Sequence, residues 1–310
     1  MSATGPARGP GGGLGDGLGR ISIVGAGQVG TMIGMALSAN REPAGIERIV
    51  LFDMDPEVAA TSLARGAGDA IGDDVREAFD ADVTLLAVPV PGIVNLLDGL
   101  GGSARAGALV LDTGSTKRAV ADAMVRNVPA HSHAVGGHPM AGSERAGPGG
   151  AEPDRLRGAA FVLTPVRDDP PGEVLARRFV GAVGARPVVM DPDAHDRSVA
   201  LTSHLPHLIA FALAHAARDA ETGAGAGADA DDIRALVSTG FLGATRLAES
   251  DPGTTSGFLS ANAGPIAVAA AHFGASLDAL LGALGDPAAL EALLEGARSA
   301  RRSLTGEVEP

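Results

Sequence analysis

The sequence predicts an α/β domain followed by an all-α domain, and three observations support this division. Short β-branched stretches alternate with helical patterns up to residue 191. From residue 192 onward the sequence is rich in alanine and leucine at helical spacing and has few strand signals. The length of 310 residues also exceeds the usual size of one domain. We therefore expect domains at 20–191 and 192–305, after a glycine-rich, disordered leader at 1–19.

The composition excludes several classes of partner and site. The net charge of -13 argues against nucleic acid or an anionic membrane as the main partner. Cysteine is absent, which excludes disulfides, thiolate metal sites and cysteine nucleophiles and fits a reducing cytosol. No unbroken apolar run looks long enough to span a bilayer, so we expect a soluble, cytoplasmic protein. The paired histidines of the HSH stretch at 131–133 lack clustered acids, so no metal site is expected.

A glycine fingerprint at the start of the first domain predicts a dinucleotide site. The stretch ISIVGAGQVG leads from a strand, Ile21–Val24, into a helical pattern, and it contains the G-x-G-x-x-G of Rossmann-type domains. Gly25 permits the turn, Gly27 lets the backbone approach a pyrophosphate, and Gly30 allows close packing of helix on sheet. The N–H groups of the helix N-terminus would also bind the phosphates. The predicted cofactor-binding residues here are Gly25, Gly27, Gln28, Val29 and Gly30.

An acid at the end of the second predicted strand favours NAD over NADP. The strand, Ile49–Phe52, is followed by Asp53, about twenty residues past the glycines as the fingerprint expects. A carboxylate at this place accepts hydrogen bonds from the ribose hydroxyls and repels a 2′-phosphate. No arginine or lysine lies between Asp53 and Arg65 to bind such a phosphate. NAD is therefore the predicted cofactor.

Three turns are expected to open onto one crevice, because ligands of such sheets lie outside the carboxyl ends of the strands. The strand predicted at 82–90 ends with Val88 and Pro89, which we expect to contact the cofactor. The stretch at 108–117 is a strand followed by a polar turn and a helix. Around His138, Gly137 and Pro139 make a continuous helix or central strand unlikely, which predicts a stiff turn. That turn would place the imidazole where nicotinamide should lie. Strands at 159–165 and 185–191 complete the sheet.

The second domain is predicted to be helical. Residues 193–220 read as one long helix interrupted at Pro206, where proline removes a backbone hydrogen bond and a kink is expected. His204 and His207 are three residues apart and therefore fall on one face. A glycine-rich loop at 223–231 precedes further helices that run to about residue 302. Their apolar surface is typical of a dimerisation domain, although the same surface could form a core.

Four motifs occur in order behind the glycine fingerprint: DTGSTK, GGHPMAGSE, HDRSVALTSHLPH and GFLGATRLAESDP. Together they resemble the prephenate and arogenate dehydrogenases, and the resemblance covers about residues 20–300. It implies an NAD-dependent oxidative decarboxylation of a small anionic cyclohexadienyl substrate. The ring would lose hydride from C4 and CO₂ from C1 and become aromatic. A homodimer through the helical domain is implied as well, without a regulatory ACT domain after it.

The resemblance also implies roles for the crevice residues. His138 matches the family's catalytic histidine, which would accept a hydrogen bond from the C4 hydroxyl of the substrate. Ser115 matches the family's serine and would bind the same hydroxyl; the alternative is an ST-turn or a helix N-cap. Lys117 either acts near the cofactor or the substrate, or is an exposed lysine at the start of a helix.

The substrate-binding residues implied by the resemblance lie mainly in the helical domain. His207 and Ser203, in the SHLPH motif, would lie against the substrate. Arg246 matches an arginine that binds a substrate carboxylate, with a surface pair to Glu249 as the alternative. Glu144 matches a glutamate that gates the pocket through an ion network.

Departures from the family pattern leave the substrate open. Leu242 and Gly243 stand where the family has the acid that completes the gate, and Thr255 lies near the position of a family tryptophan. Prephenate is the first expectation, and arogenate or 4-amino-4-deoxyprephenate in a specialised pathway is the alternative. A β-hydroxyacid dehydrogenase or imine reductase would not be expected to carry both HPMAGSE and SHLPH. A non-catalytic NAD-sensing regulator is an alternative of another class.

Overall fold

The computed structural model describes residues 17–100, 102–142, 145–221 and 230–306. Its centre is an eight-stranded sheet in the order β3-β2-β1-β4-β5-β6-β7-β8, in which only β6 and β7 are antiparallel neighbours. The strands are β1 (Gly19–Val24), β2 (Ile46–Phe52), β3 (Ala70–Ile71), β4 (Val83–Leu86), β5 (Leu109–Asp112), β6 (His133–Pro139), β7 (Ala160–Pro165) and β8 (Arg186–Val189). The first six strands follow the Rossmann order, so the predicted fold class is confirmed.

Helices cover both faces of the sheet. They are α1 (Gln28–Ala39), α2 (Arg41–Ala44), α3 (Pro56–Ala64), α4 (Val90–Asp98), α5 (Arg118–Asn127) and α6 (Pro170–Ala182). Successive side chains of a strand point to opposite faces. Leu109 and Leu111 of β5 accordingly belong to the core that includes α1 and α6, and Val110 belongs to the core that includes α4 and α5. With both faces buried, the central strands are almost continuously apolar.

Two boundaries differ from the sequence prediction: the start of the first domain and the end of one strand within it. Leu18 is fully buried and its N–H donates to the carbonyl oxygen of Ala44 at 2.9 Å, so the fold includes the last residues of the predicted leader. Residues 1–16 of that leader lie outside the described part of the chain. The strand predicted at 82–90 ends at Leu86, and α4 begins at Val90 directly after Pro89. Proline cannot donate a ladder hydrogen bond, and its fixed φ suits a helix start.

Helices follow β8 as predicted. They are α7 (Pro192–Val199), α8 (Leu205–Glu221), α9 (Ala230–Leu236), α10 (Thr239–Thr245), α11 (Pro252–Ala261), α12 (Ala263–Gly282) and α13 (Pro287–Thr305). A single π-helical turn, Ala200–His204, joins α7 to α8 immediately before Pro206, which confirms the predicted interruption. Such turns relieve a lost backbone hydrogen bond and are frequent at functional sites. The loop predicted at 223–231 lies mostly outside the described residues.

The chain divides into two compact units between Asn262 and Ala263. Helices α7 to α11 thus belong to the same unit as the sheet, whereas the sequence-based boundary at 191/192 follows the change in secondary structure. The second unit consists of α12 and α13. Asp286 caps the N-terminus of α13 by accepting from the N–H groups of Ala288 and Ala289, and Gly306 ends it in the left-handed conformation.

Two stretches are long and apolar enough, by length and composition alone, to cross a bilayer: Pro192–Ala220 and Ala263–Gly282, each with a mean hydropathy of 1.3. The expectation that no such stretch exists was wrong, because alanine-rich helices with few charges reach this hydropathy. Helices in the cores of soluble proteins have the same composition, so the finding is weak evidence for a membrane.

Candidate active site at the carboxyl ends of the strands

The glycine loop between β1 and α1 leaves space for a ligand. Gly25 has a φ of +99°, and a Cβ there would lie 2.4 Å from the carbonyl oxygen of Ala87. A Cβ on Gly30 would lie 1.9 Å from the carbonyl oxygen of Gly25, so only glycine lets the helix approach this closely. A Cβ on Gly27 would meet no described atom within 4 Å. No side chain in the described ranges caps α1, so the N–H groups of its first turn fit a pyrophosphate.

The other predicted cofactor residues surround this loop in different ways. A Cβ on the first glycine of the loop would lie 2.7 Å from Cγ1 of Val88, so Val88 lies directly against the loop. Pro89 is exposed at the start of α4. Val29 packs against the core, and Nε2 of Gln28 donates to the carbonyl oxygen of Arg145 at 2.5 Å. Phosphate contacts by Val29 and Gln28 are therefore expected through their backbone N–H groups.

Asp53 follows β2 and connects the glycine loop to the next turn. Its Oδ2 accepts from the N–H of Ala26 at 2.7 Å, and its Oδ1 accepts from the N–H of Asp55 at 2.9 Å. A carboxylate has about four lone-pair sites, so these two bonds leave acceptor capacity for ribose hydroxyls. The side chain thus fixes the loop and keeps the acceptor capacity that the predicted ribose contact requires.

Replacing this carboxylate should change the choice of cofactor. In Asp53→Ser we expect NAD affinity to fall about tenfold, because a hydrogen bond to a charged group is lost. The ratio of NADP affinity to NAD affinity should rise. Binding titrations with both nucleotides measure the ratio. Asp55→Ala is the matched control, because it removes a neighbouring acid and should leave the ratio unchanged. Equal ratios in the Asp53→Ser variant and the unmodified protein would contradict the assignment.

His138 lies in a strand, and the prediction of a stiff turn was wrong. It pairs with Val162 in the antiparallel register of β6 with β7. The pairing of β6 with β5 stops at Val135, and beyond it the N–H of Gly137 donates to Oδ1 of Asp112 at 2.9 Å. Pro139 is therefore tolerated, since it lies where β6 has only one strand neighbour. The imidazole still reaches the crevice, because β6 extends past the end of β5.

A chain of two histidines and a carboxylate fixes the ring of His138. Nδ1 of His138 lies 2.9 Å from Nε2 of His195, and Nδ1 of His195 lies 2.7 Å from Oδ1 of Asp196. His195 is fully buried and Asp196 nearly so. Sequence patterns did not point to either residue, although both stand in the HDRSV stretch that ends α7.

Asp196 also caps α5 from outside the helix. Its two carboxylate oxygens accept from the N–H groups of Lys117 and Arg118, at 2.8 and 2.9 Å. Burial raises the pKa of this carboxyl, but the hydrogen bonds from His195, Arg118 and Lys117 outweigh burial and bring the pKa below its usual value. Asp196 is therefore a carboxylate at neutral pH and can only accept hydrogen bonds.

His138 is a neutral imidazole at neutral pH. Burial lowers its pKa well below the usual value, and the nearby His195, Lys117 and His204 act in the same direction. A neutral ring has one nitrogen that can accept a proton, which is what a general base requires.

Lys117 is buried beneath the crevice, which rules out the alternative of an exposed lysine at the start of a helix. Its Nζ pairs with Oδ2 of Asp112 and donates to the carbonyl oxygen of Gly137 at 2.6 Å. Burial lowers the pKa of Lys117, although Asp112 and Asp196 oppose that effect. The ammonium group thus joins the end of β5 to the residue before His138.

Ser115 lies between these anchored residues, in the turn from β5 to α5, and is half-buried. Among the described residues its hydroxyl has no hydrogen-bond partner. The N-cap position of α5 is Lys117, so Ser115 does not cap this helix. A binding role for the Ser115 hydroxyl stays a prediction.

The π turn and the first turn of α8 bring Ser203, His204 and His207 together. Nδ1 of His207 donates to the carbonyl oxygen of Ser203 at 2.8 Å, which fixes the orientation of the ring. His204 is buried, stacks on Phe258 at 4.9 Å, and accepts at Nδ1 from Nδ2 of Asn262 at 2.9 Å. Of the two neighbours in SHLPH, His204 is thus the one that faces the core, and Ser203 is half-buried.

Acid should destabilise the protein through His204. Burial lowers the pKa of His204 to about 4, with His207 and His195 acting in the same direction and Asp196 against it. An unfolded histidine titrates at about 6.5, so the unfolded state binds more protons below that pH. Stability should therefore fall as pH decreases from about 6.5 to about 4. Thermal melts across this range should show a smaller decrease in His204→Gln. The exposed His272→Gln is the control, and an equal decrease in all three proteins would refute the prediction.

Arg246 is exposed in a 3₁₀ turn, Arg246–Glu249, that packs against α8. Arg246 thus lies on the segment next to the helix of His207, and carboxylate binding stays a prediction. Glu144, the predicted gate, lies outside the described residues.

The three departures from the family pattern have different surroundings. Leu242 and Gly243 are exposed on α10, and a Cβ on Gly243 would meet no described atom within 4 Å. Thr255 is buried on α11, a helix that packs against α4, and its hydroxyl has no partner among the described residues. α4 begins directly after the predicted cofactor residues Val88 and Pro89, so Thr255 is the departure that lies on a helix in contact with α4.

Comparisons with known proteins match both parts of the chain. The family model of the prephenate dehydrogenase nucleotide-binding domain matches residues 36–189, and that of the prephenate dehydrogenase dimerization domain matches residues 191–296. Prephenate dehydrogenase of Bacillus subtilis is 29% identical over 235 residues, which cover 75% of this chain and 61% of that protein. The chain thus spans less than two thirds of that relative. Cyclohexadienyl dehydrogenase of Zymomonas mobilis is 29% identical over 262 residues, covering 84% of this chain and 86% of that protein.

A solved structure has the same fold over nearly the whole chain. It is the crystal structure of prephenate dehydrogenase from A. aeolicus in complex with hydroxyphenyl propionate and NAD+. The similarity has a TM-score of 0.81 and a sequence identity of 26%, and it covers 92% of this chain and 98% of that one.

Proposed function

Because the chain belongs to the prephenate dehydrogenase family, we propose that it oxidatively decarboxylates prephenate to 4-hydroxyphenylpyruvate with NAD as hydride acceptor. The observation that carries this proposal is the anchored, neutral imidazole of His138 at the same edge of the sheet as the glycine loop. The open space at Gly27 and the carboxylate of Asp53 fit the pyrophosphate and the ribose of the cofactor.

The reaction requires one proton to be moved in step with the hydride. Bound NAD supplies the hydride acceptor for C4 of the substrate ring. His138 accepts the proton of the C4 hydroxyl as the hydride leaves, and returns it to the same oxygen as CO₂ departs and the ring becomes aromatic. The products are then 4-hydroxyphenylpyruvate, CO₂ and NADH, with no net proton released. Ser115 would hydrogen-bond the same hydroxyl and hold it toward the imidazole.

The substrate is a dianion, and the protein as a whole carries a net charge of -13. Local groups must therefore provide the attraction. Arg246 offers a planar guanidinium for one carboxylate. His207 and Ser203 would contact the substrate from the π turn and α8. This placement leaves His138 at the C4 end of the ring.

The substrate is identified by NADH formation with purified protein, NAD, and prephenate, arogenate or 4-amino-4-deoxyprephenate in separate reactions. We expect prephenate to be oxidised fastest. The chain contains neither tryptophan nor tyrosine, so its own near-ultraviolet background is low. A preference for either amino compound would reassign the substrate and make Leu242, Gly243 and Thr255 the first residues to exchange. Measurable NAD binding without turnover of any of the three would support a cofactor-sensing protein instead.

The active form is proposed to be a homodimer through the region that matches the dimerization domain. Three apolar side chains on α12, Phe273, Leu277 and Leu281, are spaced four residues apart and are 39%, 43% and 55% exposed in the single chain. Such a stripe is normally covered by another surface. We expect Leu277→Glu to shift the mass measured by light scattering toward the monomer. Ala275→Glu adds the same charge at an exposed position on the opposite side of α12 and should remain dimeric. A dimer in both variants would place the interface elsewhere.

A further inference from the structure

The hydrogen bonds behind His138 have a defined direction. Asp196 is a carboxylate and accepts from Nδ1 of His195, so that nitrogen carries a hydrogen. A neutral imidazole with hydrogen on Nδ1 carries its lone pair on Nε2, and this atom of His195 lies 2.9 Å from Nδ1 of His138. Nδ1 of His138 must therefore donate, and the lone pair of neutral His138 lies on Nε2. The nitrogen on the opposite side of the ring from His195 is thus the one able to accept a proton.

We propose that His195 and Asp196 are positioning residues that hold His138 in the tautomer with an unprotonated Nε2, as proton abstraction from the substrate requires. The identity of the abstracted proton rests on the proposed function, whereas the tautomer of His138 does not. Neither residue contacts the substrate in this assignment. They act through His138, in the way that the partner of a metal-bound histidine fixes its tautomer.

The same chain determines where positive charge goes when His138 is protonated. The cation donates from Nδ1 to His195, whose other nitrogen donates to the carboxylate of Asp196. Of the other charged or titratable groups around the ring, Lys117 and His204 oppose the cation. Asp112 pairs with Lys117, and His207 lies beyond His204. Asp196 is therefore the carboxylate connected to His138 by hydrogen bonds, through one intervening ring.

Two substitutions at position 195 separate tautomer control from packing. In His195→Leu no atom accepts from Nδ1 of His138, so Nε2 of His138 becomes free to carry the proton. We expect kcat to fall by about 100-fold or more, since a base in the wrong tautomer cannot accept the proton. In His195→Gln the amide oxygen accepts from the same N–H, and kcat should stay within about tenfold of the unmodified enzyme. NAD affinity should be unchanged in both.

The tautomer itself can be measured without turnover. In protein with ¹⁵N-labelled histidine and bound NAD, the nitrogen shifts of His138 report which ring nitrogen carries hydrogen, and the His138→Asn spectrum assigns them. We expect hydrogen on Nδ1 in the unmodified protein and in His195→Gln, and on Nε2 in His195→Leu. His133→Gln is the matched control. It removes another histidine of β6, whose Nδ1 lies 2.8 Å from Oδ2 of Asp169, and it should change neither kcat nor the tautomer of His138.

These readouts distinguish the failure of this inference from the failure of the proposed function. If no cyclohexadienyl substrate turns over but the tautomer changes as expected, the proposed function fails and the positioning role stands. If His138 carries hydrogen on Nε2 in the unmodified protein, or if folded His195→Leu keeps kcat within about threefold, the inference is overturned. Should His195→Leu fail to fold, His195→Gln is compared with Asp196→Asn instead. The amide that Asp196→Asn introduces no longer fixes which nitrogen of His195 donates, so this comparison provides the same test.

Discussion

His138→Asn should lower turnover of prephenate by roughly 10²–10⁴ while NAD affinity is retained, because the variant keeps the strand but loses the proton acceptor. Asparagine can still donate from its amide, so the change is in chemistry rather than in packing. Steady-state kinetics and a separate NAD titration measure the two quantities. Since the lost interaction belongs to the transition state, kcat and kcat/KM should fall together.

Met140→Leu provides the control on the same segment, since this exposed side chain lies two residues further along and is not part of the proposed machinery. Its turnover should equal that of the unmodified enzyme. A His138→Asn variant with near-normal kcat would refute the assignment of the base. A variant that loses NAD binding together with turnover would show that the substitution disrupts the fold of the crevice, and the more conservative His138→Gln would then be the informative change.

Local patterns predict the cofactor half of the candidate site. The glycine loop, the helix after it and the acid at the end of β2 lie within about thirty residues, and each depends on backbone geometry that the sequence displays directly. Gly25 and Gly30 occupy the tight positions expected of them. The fold class follows from the same kind of evidence, because alternating strands and helices restrict the topology strongly.

The proposed catalytic half was less predictable because it is built from contacts between distant parts of the chain. His195 lies 57 residues from His138, and Asp196 caps a helix whose first residue is 78 residues away. No periodicity or spacing rule connects such positions. The strand at His138 was missed for a related reason. Proline is excluded from a strand only where both sides of the strand are paired, and the pairing of β6 with β5 stops at Val135, before Pro139 is reached.

The burial of Lys117 could not be predicted from its neighbours in the sequence either. A lysine before a helix is usually exposed, and the chain gives no local sign that Asp112 and the carbonyl oxygen of Gly137 meet its ammonium group. The ion pair of Lys117 with Asp112 and the bond from Lys117 to Gly137 have a clear structural consequence, since they connect β5, α5 and β6 next to His138. The ion pair is therefore the interaction whose removal should have the largest effect on stability.

Lys117→Met should destabilise the protein by about 3–5 kcal/mol, because it keeps the apolar stem but leaves the carboxylate of Asp112 buried without its counter-ion. The N–H groups of Gly114 and Gly137 still donate to that carboxylate, so the protein should fold. Urea unfolding followed by circular dichroism measures the change, since the chain has no tryptophan for fluorescence. Arg76→Met, which breaks an exposed pair with Asp74, should leave the midpoint unchanged.

The double variant Lys117→Met/Asp112→Asn tests the cause. Asparagine removes the charge and keeps an acceptor for the N–H of Gly137, so the double variant should be more stable than Lys117→Met alone. Such a recovery means that most of the loss comes from an uncompensated buried charge. If the double variant is instead less stable than either single variant, the ion pair is not the source of the loss. The role of Lys117 would then be the hydrogen bond from its ammonium group to Gly137, which fixes the residue next to His138.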